Sequence, residues 1–382
     1  MGPLSGLQIV EFAGIGPGPF CGALMADLGA DVLRVDRTTP AQLGLPLEPQ
    51  FDPLSRGRSS VCVDLKQAGA ADFVLELVAK ADGLIEGFRP GVMERLGLGP
   101  DPCLASNPRL VYGRITGWGQ DGPMANEVGH DINYIALSGA LAAIGPANHK
   151  PVPPLNLVGD YGGGGMFLAF GMLAAMMEAK HSGKGQVVDA AMSEGAAYLT
   201  MPLFGWRGAG FWDAPRGENL LDGGAPWYDT YQTKDERWIS VGAVESKFYA
   251  QLLVALGVDA AQLPDRDDRD NWPALRERFT AIFASRSRDE WCERFQGYEA
   301  CFAPVLEAHE LGSHPHHIER QAFIDVGGLV QPAPAPRFSR TPAAPPRPAR
   351  AAGEGGLAAL TRWGIDDART QALRSAGVIE LS

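Results

Sequence analysis

Cysteine is scarce in this sequence: Cys21, Cys62, Cys103, Cys292 and Cys301 are the five present, an odd number with no CxxC spacing. That excludes a disulfide framework and offers no cysteine-rich zinc site, so reduced thiols in a cytoplasmic protein are expected. Positive charge is also in deficit, with 33 Lys and Arg against 45 Asp and Glu and a net charge of −12. Bulk charge therefore argues against a nucleic-acid partner and leaves room only for a local basic pocket. Long hydrophobic runs are missing as well. Residues 132–148 and 162–177 are uncharged and apolar, yet both fall short of the roughly 20 residues a membrane span needs and both are interrupted by glycine or polar residues, so no membrane span is expected. Residues 1–6 have neither a basic nor an apolar signal region, and no secretory signal is expected.

What is present is glycine in patterned places and a regular alternation of short apolar runs. At 382 residues the chain is long enough for two domains with substantial cores. Leu7 to Phe12 reads as a strand, 13–19 as a glycine-rich loop, 20–28 as a helix ended by Gly29, and 30–36 as a second strand. This βαβ unit invites comparison with a dinucleotide fingerprint. The spacing fails: Gly14 and Gly16 require a small residue where Pro19 stands, and Gly16 and Gly18 require one where Cys21 stands. A nicotinamide dehydrogenase is disfavoured on that ground.

Further strands are expected at 59–64, 82–86, 109–116 and 185–191, with helices at 70–79, 166–177 and 193–204. Strands alternating with helices predict an α/β fold, a large Rossmann-like domain with a mostly parallel sheet, in which ligands meet the carboxyl ends of strands. Arg37 and Arg89 both follow such ends. Arg37 suits an extra phosphate on an adenosine ribose, as in NADP or coenzyme A, and serves equally well as a solvated charge.

Beyond residue 221 the character changes. Residues 228–233 and 238–243 read as a hairpin, followed by helices at 247–256 and 272–284 and a third opened at Ser287, where Glu290 completes a capping box. The expected division is a large domain of 1–200 with 325–382, a linker of 201–221 and a smaller α+β domain of 222–324. The proline-rich stretch 332–349 is expected to run as an extended strap, and 357–376 as a helical tail docked on the large domain.

The chain is organised around 129–165, which opens on Gly129-His130-Asp131-Ile132-Asn133-Tyr134 and closes on Asn156-Leu157-Val158-Gly159-Asp160-Tyr161 and Gly162 to Gly165. A carboxylate followed by glycines at a helix start would set backbone N–H donors beside an acid, a ready place for a developing oxyanion. His130 and Asp160 are thus the first candidates for chemistry, with Glu245 a third at the passage from hairpin to helix. Each has a bland reading: a structural histidine, a helix-start acid, a cap. His314, His316 and His317 lack acid or cysteine partners at ligand spacing, so no metal site is assigned.

These motifs, with Gly14-Ile15-Gly16-Pro17-Gly18-Pro19, Gly29-Ala30-Asp31-Val32 and Gly224 to Tyr231, resemble those of the alpha-methylacyl-CoA racemases of the family III CoA-transferase superfamily, over nearly the whole chain. The resemblance implies an interlocked homodimer acting on an acyl-CoA. It makes His130, Asp160 and Glu245 the active-site acids and bases and puts Arg37 and Arg89 on positions that bind CoA phosphates or adenine; Asn156, four residues before Asp160, reads as a holder of that carboxylate or a turn residue, and Asn156 and Tyr134 are also candidate substrate contacts. No metal or redox cofactor is implied, since coenzyme A is part of the substrate. The expected reaction interconverts 2-methylacyl-CoA epimers through an enolate. The alternative within the superfamily is CoA transfer between carboxylic acids, with Asp160 as the nucleophile.

Overall fold

The computed structural model describes residues 2–39, 44, 45 and 47–382; Met1, the first residue of the stretch read for a signal, lies outside them. The chain divides into two compact units, 1–138 with 155–199 and 315–382, and 139–154 with 200–314. The division differs from the expected boundaries: 139–154 and 200–221 group with the second unit, and 315–324 with the first.

The first unit is built on a seven-stranded sheet. Its strands are β1 (Gln8–Phe12), β2 (Asp31–Asp36), β3 (Ser59–Val63), β4 (Gly83–Glu86), β5 (Val111–Thr116) and β6 (Gln186–Ala191), with a short edge strand near the carboxyl terminus, Ile379–Glu380. β1 to β6 lie in the order 3-2-1-4-5-6 and pair in parallel; the edge strand pairs antiparallel with β3. Parallel strands covered on both faces are buried throughout: β3 and β4 at every position and β1 at all but Gln8, the polar Glu11, Ser59, Ser60 and Glu86 included. Successive side chains point to opposite faces. Val10 and Phe12 enter one core with Phe73, Leu77 and Trp363; Ile9 enters the other with Met25, Leu168 and Met172. The strand order reverses beside β1, so the carboxyl ends of β1, β2 and β4 border a topological switch point.

Helices flank the sheet. α1 (Pro17–Asp27) and α2 (Ala70–Val78) follow β1 and β3, and α3 (Asp131–Leu137) follows β5. A π-helical turn, Leu157–Gly165, runs directly into α4, Met166–Ser182, and α5 is Met192–Leu199. By composition the 26 residues from Leu157 to Ser182 are long and apolar enough to cross a bilayer, more than the shorter runs expected. Half of the most apolar window is buried, with Leu168, Ala169, Met172, Ala175 and Met176 in the core beneath the sheet.

The single helix expected over 193–204 is two helices, Met192–Leu199 and Met201–Gly208. Pro202 stands in the first turn of the second, where its missing N–H does no harm, but it could not have continued the first. Of the expected strap 332–349, Pro332 ends the strand Leu329–Pro332, which pairs antiparallel with Phe323–Val326, and 333–349 holds no helix or strand; the tail docks through Ala359, Leu360, Trp363 and Leu373.

The glycine run 162–165 allows α1 and α5 to close on the π-helical turn. A Cβ on Gly165 would meet Pro17 O at 2.7 Å, and one on Gly164 would meet Met192 Cγ at 2.8 Å. The tightest approach is reciprocal: a Cβ on Gly195 of α5 would stand 1.8 Å from Gly163 O. Backbone cannot yield as a flexible side chain does. Gly195→Ala is expected to destabilise the protein by about 1–3 kcal/mol, read as a lower urea midpoint; an unchanged midpoint would mean the two helices part freely.

In the second unit, β7 (Tyr228–Gln232), β8 (Trp238–Gly242) and β9 (Phe302–Pro304) form an antiparallel sheet. Helices Ser246–Leu256, Trp272–Phe283 and Arg288–Arg294 pack on it around Tyr231, Phe279, Phe283 and Trp291. Ser287 caps the third helix as expected: Glu290 N–H donates to its hydroxyl at 3.2 Å and its own N–H donates to the Glu290 carboxylate at 2.7 Å.

Candidate active site

The site grows from three segments of the first unit: the loop after β1, the start of α3, and the π-helical turn. Asp160 is the fourth residue of that turn. A π-helix closes on i→i+5 bonds and is rare outside functional positions. The expectation that Asp160 opens a helix with backbone N–H donors beside it is corrected here: it lies inside the turn instead, and one of those donors, its own N–H, is taken. That N–H donates to Asp131 Oδ1 at 2.7 Å and is already committed.

The Asp160 carboxylate is positioned from two sides. Asn156, one turn earlier, donates from Nδ2 to Oδ2 at 3.0 Å. Opposite it lies Gly16, with φ +67°, a conformation that favours glycine. A Cβ there would come within 2.9 Å of Asp160 Oδ2, so the backbone of the β1–α1 loop is admitted against the carboxylate only because residue 16 has no side chain. Burial pushes the Asp160 carboxyl above its ordinary range; the Asn156 hydrogen bond opposes this, the neighbouring Asp131 charge adds to it, and the His130 charge opposes it. His130 and Asp160 lie in the same unit and are linked through Asp131, which follows His130 directly and accepts the Asp160 N–H.

His130 is exposed and precedes α3 as its cap residue, and its backbone N–H donates to Asn133 Oδ1 at 3.1 Å. Its backbone is thereby fixed at the start of the helix, and its side chain takes part in the capping box with Asn133. Tyr134 is one turn along, only 8% exposed, its ring edge-on to Trp118 at 4.9 Å and its hydroxyl donating to Gly129 O. Gly117 makes room for that ring, since a Cβ there would lie 2.0 Å from Tyr134 Cε1. The Tyr134 hydroxyl thus anchors the loop carrying His130. Burial pushes its phenol up, and the Asp160 charge adds to this while Arg89 opposes it.

Arg37 and Arg89 are both exposed and follow β2 and β4, the strands on either side of β1. The Arg37 guanidinium lies 5.8 Å from the ring centre of Phe88, itself edge-on to Phe12 at 5.9 Å. Two cations and an aromatic face thus stand at the switch point, where a nucleotide's phosphates and base would meet the sheet. Glu245 belongs to the second unit, where it is exposed, stands just before Ser246–Leu256 without a side-chain capping bond, and raises the thiol of Cys301 with its charge, after the larger effect of burial. Six of the seven sequence candidates therefore share the first unit. Among the described residues no group of three or more His, Cys, Asp or Glu side chains converges to hold a metal.

Sequence reasoning missed Gly16 and Asp131 as parts of the site. Asp131 stood inside a quoted motif, and an acid in the first turn of a helix reads as a dipole partner; only the fold shows its carboxylate reaching across to residue 160. Phe88 was equally silent, since its value depends on β2 and β4 flanking β1.

A Rossmann-type parallel sheet with two exposed arginines and an aromatic ring at its switch point defines an α/β fold suited to a nucleotide-bearing ligand. The sequence pattern of CoA-transferase family III matches residues 4–355, and the chain belongs to that family. It is 44% identical over 379 residues to the alpha-methylacyl-CoA racemase of Mus musculus, covering 99% of this chain and 97% of that one. With the Homo sapiens alpha-methylacyl-CoA racemase it shares 44% identity over 343 residues, covering 90% and 88%. Among solved structures, a CAIB/BAIF family protein from Brucella suis superposes with a TM-score of 0.82 over 96% of this chain and 100% of that one, at 24% identity, a likeness of fold.

Proposed function

We propose that the protein interconverts (2R)- and (2S)-2-methylacyl-CoA thioesters by 1,1-proton transfer. The observation that carries this reading is geometric: Asn156 holds the Asp160 carboxylate, and the Asp160 N–H is held by Asp131, the residue that directly follows the His130 imidazole in the chain. Inverting a carbon requires that a proton leave one face and another arrive at the opposite face, so two acid–base groups must flank a planar enolate. Asp160, its carboxylate gripped by Asn156, serves one face and His130 the other. Raising a carboxyl toward neutrality favours this role, because each group must be an acid in one direction and a base in the other.

Arg37 and Arg89 are the proposed contacts for the CoA phosphates and adenine. A homodimer, with Glu245 as the carboxylate that orients His130, belongs to the same proposal, and coenzyme A enters only as part of the substrate. The racemase relatives support the reading, and membership of the family is equally consistent with a transferase that uses Asp160 as nucleophile.

The test is incubation with a 2-methylacyl-CoA in heavy water and no acceptor acid. Deuterium at the α-carbon together with epimerisation is the expected result. No exchange, together with CoA passing to an added carboxylate, would establish the transferase instead.

A further inference from the structure

We infer that Asp131 is a positioning residue for the acid–base pair: its buried carboxylate grips the backbone of Asp160 while its own backbone follows directly from His130, so that one residue sets the spacing between the two. This rests on the proposed reading of His130 and Asp160 as the proton-handling groups. The residue is 6% exposed, and Oδ1 accepts the Asp160 N–H at 2.7 Å. The contact is built from both sides, because Gly159 passes so close that a Cβ there would lie 2.4 Å from Asp131 Oδ1. His130 and Asp160 are thus joined through one peptide link and one hydrogen bond, far shorter than the chain between them.

A clamp alone does not need a charge. Asparagine would offer the same acceptor to the Asp160 N–H without burying a carboxylate, and the second oxygen, Asp131 Oδ2, is buried with no hydrogen-bond partner among the described residues. Leaving a carboxylate oxygen buried without a donor is costly. What the carboxylate adds is negative charge beside Asp160, which helps keep a proton on it. The charged groups acting on Asp160 are Asp131, the first residue of α3, and His130 just before it; Tyr134 on α3 feels the charges of Asp160 and Arg89. Gly16 brings only backbone against it, and of the other elements packed on the π-helical turn, the charges of Asp27 in α1, Glu194 in α5, Arg114 in β5 and Asp189 in β6 do not act on Asp160.

The experiment compares wild type, Asp131→Ala and Asp131→Asn in the full-length protein by α-proton exchange and epimerisation, by pH profile, and by peptide-resolved amide hydrogen exchange over residues 156–165. Asp131→Ala removes the clamp and is expected to lower kcat about 100-fold with little change in KM, and to speed amide exchange over 156–165. Asp131→Asn keeps an acceptor for the Asp160 N–H, so it should retain slow amide exchange and stay within about tenfold of wild-type kcat. Its acidic limb should move to lower pH because the like charge is gone. Wild-type kcat and amide exchange in Asp131→Ala would overturn the clamp, and an unmoved acidic limb in Asp131→Asn would overturn the electrostatic part. Should Asp131→Ala fail to fold, the near-isosteric Asn variant decides through its pH profile. A wild type with no α-exchange at all would defeat the functional reading, and the amide exchange of the variants would still decide the clamp.

Discussion

Asp160→Asn is expected to lower the rate of epimerisation by about 10³–10⁴-fold while leaving the protein folded. The amide keeps an oxygen to accept the Asn156 N–H, and the backbone N–H of residue 160 still reaches Asp131, so the local geometry is retained and only proton transfer is lost. Loss of rate by itself does not separate racemase from transferase, because a transferase would also lose its nucleophile. The separating measurement is exchange of the α-hydrogen from each epimer individually. With two groups on opposite faces, the Asn variant should still exchange the epimer whose hydrogen faces His130, without inverting it, and should fail on the other. Exchange of both epimers at wild-type rate would remove Asp160 from the mechanism.

The same variant carries a stability signature of opposite sign. Burial raises the Asp160 carboxyl in the folded state, so the folded protein holds that proton more tightly than the unfolded chain does. The associated stability is fully present below the unfolded value of about 3.9 and is lost as pH rises through the folded one. At neutral pH the ionised carboxylate is therefore a net cost to folding, which asparagine removes. Thermal unfolding of Asp160→Asn should occur at an equal or higher temperature than wild type at pH 7, with the difference shrinking as the pH falls toward 4. A lower melting temperature at pH 7 would show that the carboxylate makes stabilising contacts beyond the Asn156 bond.

The fold was legible where local physics and tertiary packing agree. The apolar residues of β1, β3 and β4 mark strands covered on both faces of the sheet, and the Ser287 to Glu290 capping box is a local device that needs no partner. The break at Thr200 was missed because apolar spacing continues across it, although Pro202 held the signal. The π-helical turn was not legible: Leu157 to Gly165 reads as a glycine run ahead of a helix, and its wider winding is set by α1 and α5 pressing on glycines that have no side chains to resist. In the site, histidine and aspartate could be picked as chemically capable types, and resemblance to a known family singled them out. Their support could not be read, because Gly16 against Asp160 and Asp131 against the Asp160 N–H are meetings between segments that only the sheet order brings together.

His130→Ala is the second large effect, and it is the one that divides the two reactions the family allows. In the proposed racemase the imidazole must deliver or accept a proton on the face opposite Asp160, so its loss should reduce epimerisation by roughly 10³-fold or more. A transferase needs one carboxylate as nucleophile and no second base across from it, so the same change would leave CoA transfer largely intact. The fold should survive, since His130 is exposed and the start of α3 is held by backbone bonds that alanine keeps, including the His130 N–H to Asn133 Oδ1 at 3.1 Å. The residual chemistry should mirror that of Asp160→Asn: exchange without inversion, now from the epimer whose hydrogen faces the carboxylate. Two variants with opposite residual selectivity, each unable to invert, would require acid–base groups on both faces of one carbon. Identical residual selectivity would place both groups on the same face, and no inversion could then be built from them.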